Sequence, residues 1–313
     1  MERLFDRRLI FVTGKGGVGK STVATALGLL AARAGLRTIV AELAGQERLQ
    51  QAFERHGETF TEVELAPGLF TISIDPQRSM EEYLQLRVGA LGNMLASSRL
   101  FGAFAMATPG MRELLSIGKV WELAQLERRT RGAASYDLVI VDAPATGHGV
   151  GILRTPRTFA EIARVGPIAH QGTTIARTIA DPQFTAIVAV TTAEEMPVNE
   201  TLAAASSIAA EGLAVSGVVV NALYPERFST AEIERVREVL ATAGGGAANA
   251  AMRAAVSEHG RASAQRAQLE RLRAELPAEL VELPHLFVPE IGLAELELLA
   301  DHLEPAVRPT LAL

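Results

Sequence analysis

One short stretch constrains this chain more than any other. Gly14-Lys15-Gly16-Gly17-Val18-Gly19-Lys20-Ser21 satisfies the pattern G-x-x-x-x-G-K-[ST], with a β-prone run over residues 9–13 leading in and a helical stretch over residues 21–34 leading out. Glycines lacking a Cβ let successive backbone N–H groups curl around a polyphosphate, and the helix N-terminus adds partial positive charge. Such a strand–loop–helix points to a nucleoside triphosphate with Mg²⁺. Lys20 is expected to reach the β- and γ-phosphates, Ser21 to ligate the metal and Thr22 to donate to the α-phosphate.

The rest of the chain has a matching rhythm. Further β-rich runs fall at 37–41, 69–74, 137–141, 185–191, 215–220 and 285–288, separated by helical-looking stretches. A continuous apolar strand such as Leu138-Val139-Ile140-Val141 suits a parallel sheet covered on both faces. The expected fold is α/β, a doubly wound, mostly parallel sheet, with one phosphate-loop domain over residues 1–313. Residues 76–131 and 148–182, broken by Pro109-Gly110 and Gly166-Pro167, read as an inserted helical subdomain. A Gly/Ala-rich stretch at 243–251 reads as a loose connection before a helix over 252–276, where Arg266/Glu270 and Arg271/Glu275 are spaced i,i+4 along a solvated face.

Composition excludes several classes. A formal charge of −6 argues against binding DNA or an anionic membrane over the whole surface. The longest apolar runs, such as 23–32, fall short of the roughly 18 residues a membrane span needs. The N-terminus lacks a signal-peptide apolar region, so a cytoplasmic location is expected. With no cysteine, disulfides, thiolate zinc sites, iron–sulfur clusters and thiol coordination of arsenite are all ruled out. The histidines, His56, His148, His170, His259, His285 and His302, show no ligand spacing, so nucleotide-bound Mg²⁺ is the one metal expected. Only three lysines occur, Lys15, Lys20 and Lys119, and two of them stand in the loop.

The stretch from Lys15 to Thr22 resembles the deviant phosphate loop of the nitrogenase iron protein, the plasmid- and septum-positioning ATPases, and the arsenite-pump and tail-anchored-protein-targeting ATPases. The resemblance implies that the nucleotide is ATP and that two subunits sandwich it as a dimer, with Lys15 crossing to the other subunit's ATP. Asp142-Ala143-Pro144-Ala145-Thr146-Gly147-His148 resembles the second-switch segment of the arsenite-pump and tail-anchored-targeting branch, which implies that Asp142 holds Mg²⁺ through water and that His148 shapes the switch. Pro109-Gly110 with Glu113 resembles a stretch of that family's helical region. Asn221 matches its adenine-recognising asparagine, and Pro289-Glu290-Ile291-Gly292 its late loop over the base.

One segment departs from the family pattern. Counting back from Phe53 places Ala44 where a water-orienting carboxylate stands in the family. Either Glu42 or Glu47 replaces it, or both are solvated loop residues. This variant resembles paired actinobacterial ATPases, as do Ile74-Asp75-Pro76 and Glu82-Tyr83-Leu84, so the partner is a second copy or a paralogous ATPase. Met80, Met94, Met106 and Met111, among Leu91, Leu95, Leu100, Phe101 and Phe104, suit either a groove for a hydrophobic client or a packed helical core. The alternatives are a positioning ATPase or a nucleotide-gated scaffold with little turnover. The tail over 293–313, with Glu295, Glu297, Asp301 and Glu304 against one arginine, suits an anionic membrane poorly. Neither nucleic acid, zinc nor stable membrane insertion is expected.

Overall fold

The computed structural model describes residues 1, 3–43, 48–55, 57–88, 107–128, 132–163, 167–242 and 244–307. In chain order the elements are β1 (Leu9–Gly14), α1 (Lys20–Arg33), β2 (Thr38–Glu42), α2 (Arg48–Ala52), β3 (Val63–Ala66), β4 (Leu69–Ser73), α3 (Pro76–Val88), α4 (Met111–Leu123), β5 (Leu138–Asp142), α5 (Thr146–Ala163), α6 (Pro167–Ala180), β6 (Thr185–Thr192), α7 (Glu195–Ala210), β7 (Gly217–Leu223), α8 (Thr230–Thr242), α9 (Ala247–Glu275), β8 (Leu280–Pro284) and α10 (Leu293–Leu303). The eight strands form one sheet, ordered β3-β4-β2-β5-β1-β6-β7-β8. Every neighbouring pair is parallel except β3 and β4.

Successive strand side chains point to opposite faces, so a sheet covered on both sides needs apolar residues at every position. Strand β1 shows this directly. Ile10 and Val12 pack with α1 and α10, while Leu9 and Phe11 pack on the other face with α4, α5 and α6. A third cluster seats Val198 of α7 and Leu269 and Leu272 of α9 on Val218 and Val220. Helix α1 lies close against the sheet at Gly28, where a Cβ would stand 2.8 Å from Val40 Cγ2. Arg33 at its end pairs with Glu297 and Asp301 of α10.

The expected α/β architecture is present, with local differences. The last strand is Leu280–Pro284, not 285–288, because Leu280, Val281 and Glu282 take the register of Val218, Val219 and Val220. Beyond it the run leaves the sheet, and Phe287 packs on His285 and Tyr224 with 56% of its surface exposed. Antiparallel β3, with the irregular pattern of an edge strand, gave no periodic signal. Helix α9 begins within the Gly/Ala stretch, since alanine is a strong helix former. Arg271 pairs with Glu275 as spaced, but Arg266 turns to Glu226 and Glu282, and Glu270 meets Arg273 instead.

In the helical region Gly110, at φ 79°, caps the start of α4, and Pro167 opens α6. The buried faces of α4, α5 and α6, including Ile117, Val120, Ile152 and Ile175, join the core of the sheet itself. Met80 and Leu84 of α3 form a smaller cluster with Met111 and Leu115, so Met80 is a core residue. Met94, Met106, Leu91, Leu95, Leu100, Phe101 and Phe104 lie outside the described residues. No helix among the described residues is long and apolar enough to cross a membrane.

The third lysine ties α3 to α4, and Arg128 ties α4 to the sheet edge. Lys119 Nζ donates to both Glu82 oxygens, at 2.9 and 2.7 Å, and lies 3.2 Å from Glu122. Arg128, its side chain 1% exposed, bridges Glu122 at 2.8 Å and Glu62 at 2.7 Å. Tyr136 donates to Glu62 at 2.6 Å. Burial pushes the Glu122 carboxyl up, but the Arg128 hydrogen bond and the charges of Lys119 and Arg128 outweigh it and hold the group below the usual carboxylate value.

Candidate nucleotide site

The loop leaves β1 where that strand lies between β5 and β6, while α1 carries the chain past β5 to β2. Open α/β sheets bind ligands in the crevice at such points, beyond the carboxyl ends of the strands. Two glycines make the loop's path possible. At Gly14, φ 152°, a Cβ would overlap the Val190 carbonyl; at Gly19, φ 94°, it would overlap the Asn221 amide. Gly19 also caps α1 without a side-chain hydrogen bond, and the first turn carries no acidic residue. Its N–H groups are thus available to an anion.

Beside the loop is a cavity of about 300 Å³. Gly17, Gly19, Lys20, Ser21, Thr22 and Thr25 form its polar side; Leu49 and Ala52 of α2, with Ile291 and Leu296, form its apolar side. The fold therefore brings Ile291 to the loop, while neighbouring Pro289 and Glu290 are exposed and do not line the cavity. Asn221, within β7, donates its amide to the Val18 carbonyl at 2.9 Å, so it braces the loop itself.

The acidic residues converge from two strand ends. Asp142 closes β5 and accepts a hydrogen bond from Ser21 Oγ at 2.5 Å. Glu42 closes β2 and stands opposite Asp142 in the parallel register. Glu42 is 2% and Asp142 8% exposed. Glu42 is therefore a buried strand residue and not a solvated loop residue; Ala44 and Glu47 lie outside the described residues. Ser21 Oγ and the Asp142 carboxylate are hard oxygen donors of the kind Mg²⁺ takes. A side chain at Gly16 would touch Ala145, which places the segment after β5 against the loop. The side chains of residues 146–150, His148 among them, lie outside the described ones.

Lys20 Nζ donates to the Lys15 carbonyl at 3.0 Å. Lys15 Nζ is 3.0 Å from Glu200 Oε1 on α7. Sequence reasoning did not single out Glu200, Leu49 or Ala52, since each reaches the loop only through the packing of a separate helix. Glu113 lies with Asp75, Arg112 and Pro144 on a second cavity, of about 400 Å³.

The chain matches the anion-transporting ATPase family over residues 7–171 and 162–241. The chain belongs to this family. It is accordingly an ATPase, and the eight-stranded sheet with its glycine-rich loop is the phosphate-loop α/β fold of the family. It is 32% identical to the ATPase BagA of Mycobacterium tuberculosis over 247 residues, 75% of this chain and 71% of that protein. With the arsenical pump-driving ATPase of Escherichia coli it shares 26% identity over 260 residues, 74% of this chain and 43% of that protein. With the ATPase ASNA1 homolog 1 of Paramecium tetraurelia it shares 29% over 148 residues, 47% of this chain and 43% of that protein.

Proposed function

We propose that the chain is a dimeric, ATP-operated switch in which nucleotide state governs binding of a hydrophobic client or partner protein. The observation that carries this reading is the convergence of Lys20, Ser21, Asp142 and Glu42 beside a helix N-terminus whose N–H groups no side chain caps. The amides of residues 14–19 hold the phosphates, Lys20 neutralises the β- and γ-phosphates, and Thr22 donates to the α-phosphate. Ser21 directly, and Asp142 through water, would hold Mg²⁺, which when bound spreads the charge of the phosphate oxygens. The base lies toward Asn221 and the 289–291 loop, with Ile291 beside it.

Glu42 takes the place of the carboxylate missing at Ala44. Its oxygens accept hydrogen bonds from a water and orient it in line with the γ-phosphate; attack forms the new P–O bond as the bond to ADP breaks, and the water's proton passes by way of the Glu42 carboxylate to the released phosphate. Lys15 crosses to the nucleotide of a second subunit, which is another copy or a paralogous ATPase. The absence of cysteine favours a protein client over a metalloid. On α10 the apolar residues Leu296, Leu299 and Leu303 are used in the core, which speaks against a membrane-riding positioning ATPase.

Phosphate release by the purified chain with Mg·ATP tests the chemistry. Glu42→Gln is expected to slow release at least about tenfold while nucleotide still binds, since positioned general bases contribute about 10²–10⁴. Full turnover in Glu42→Gln overturns its role, and no turnover in the unaltered chain favours a nucleotide-gated scaffold. Retention of a tail-anchored peptide only in the presence of ATP tests the client; equal retention without nucleotide overturns it.

A further inference from the structure

The two loop lysines are linked in series to Glu200. Lys20 holds the Lys15 carbonyl, and the Lys15 ammonium holds Glu200. The fold makes this pairing local, because α7 follows β6, whose Val190 carbonyl abuts Gly14. The two side chains are 31% and 35% exposed, so their ion pair is wet and readily exchanged. Met196, four residues before Glu200 and so on the same helix face, is 59% exposed.

We infer that Glu200 is a positioning residue that latches Lys15 in the isolated subunit, and that closure of two subunits exchanges its carboxylate for the phosphates of the neighbour's nucleotide. The inference rests on the reading of Lys15 as the residue that crosses between subunits. Lysine suits the exchange, being a compact charge on a flexible stem that can swing from one anion to another. Without nucleotide the neighbour offers no anion, and Lys15 stays with Glu200. With a triphosphate across the interface, the more highly charged group takes the ammonium. The latch thereby opposes closure of empty subunits and is overcome by loaded ones.

Sedimentation of the chain in Mg·ATP over a range of protein concentrations tests this, with phosphate release followed in parallel. Each latch of this exposure weighs about two- to five-fold in an equilibrium, and a symmetric dimer opens two. Glu200→Gln is therefore expected to lower the concentration of half-association about four- to twenty-five-fold, and Glu200→Asp to fall between it and the unaltered chain. The shift shrinks as salt rises from about 50 to about 500 mM. In a Lys15→Ala background Glu200→Gln changes nothing. An unchanged or raised midpoint in Glu200→Gln, with Lys15→Ala still impairing association, overturns the latch and leaves the dimer reading standing. An equal shift in both backgrounds also overturns it, because Glu200 then acts through another group. If Lys15→Ala associates like the unaltered chain, the crossing-lysine reading falls and the latch falls with it. Unchanged melting temperatures for the Glu200 variants separate these outcomes from misfolding.

Discussion

Lys15 and Lys119 carry the same charge in opposite settings. The Lys15 side chain is 31% exposed and meets one carboxylate from a separate helix; that of Lys119 is 5% exposed and lies between Glu82 and Glu122. Around the loop the polar contacts are of a kind that an incoming phosphate can replace. Around Lys119 and Arg128 they interlock, tying Glu62 before β3, α3, α4 and the approach to β5 into one network. A buried ion pair adds little over an apolar substitute but is costly to break, because the orphaned charge stays buried. The loop's ion pair is exposed and weak, and those of the network are buried and interlocked.

That contrast breaks most visibly at Arg128. Arg128→Ala leaves Glu62 and Glu122 without their shared cation and is expected to cost about 3–5 kcal/mol of stability. Thermal melting reads the loss, while the folded fraction continues to bind ATP; a melt like that of the unaltered chain refutes the network's role. Lys20→Ala is the reverse case. Phosphate release is expected to fall about 10²–10³-fold, as when one electrostatic contact to developing charge is removed, with melting unchanged.

A smaller effect sharpens the same comparison. The Glu122 carboxyl titrates lower in the folded chain than unfolded, so its pairing stabilises the fold fully above the unfolded value and loses that contribution as pH falls through the folded one. Urea midpoints measured from neutral pH down through the acid range should decline less in Glu122→Gln than in the unaltered chain. Parallel declines contradict the assignment.

These two regions also differ in how far the sequence reveals them. The loop is contiguous, so its glycines, Lys20 and Ser21 are legible from spacing, and buried parallel strands such as Leu138–Asp142 announce themselves as apolar runs. Asp142 and Ile291 were reached through resemblance, and packing brings both to the loop. From sequence Glu42 reads equally well as the end of a strand or the first residue of a loop; its pairing opposite Asp142 places it in β2. Glu62, Glu82, Arg128 and the α4 pair Lys119 and Glu122 come from four places in the chain, and the spacing of these charges does not show that they meet. Likewise the sequence places the last strand a few residues late, because His285-Leu286-Phe287-Val288 is as β-prone as Leu280–Pro284 and pairing with β7 decides between them.

The account stands on the loop and its crevice receiving a triphosphate. Titration calorimetry with Mg·ATP tests this most directly, with circular dichroism confirming that the chain is folded at the concentration used. The expected result is a saturable heat at one nucleotide per chain, weakened in Lys20→Ala. The contradicting result is a folded chain that takes up no ATP, or one whose affinity is the same with and without the Lys20 ammonium.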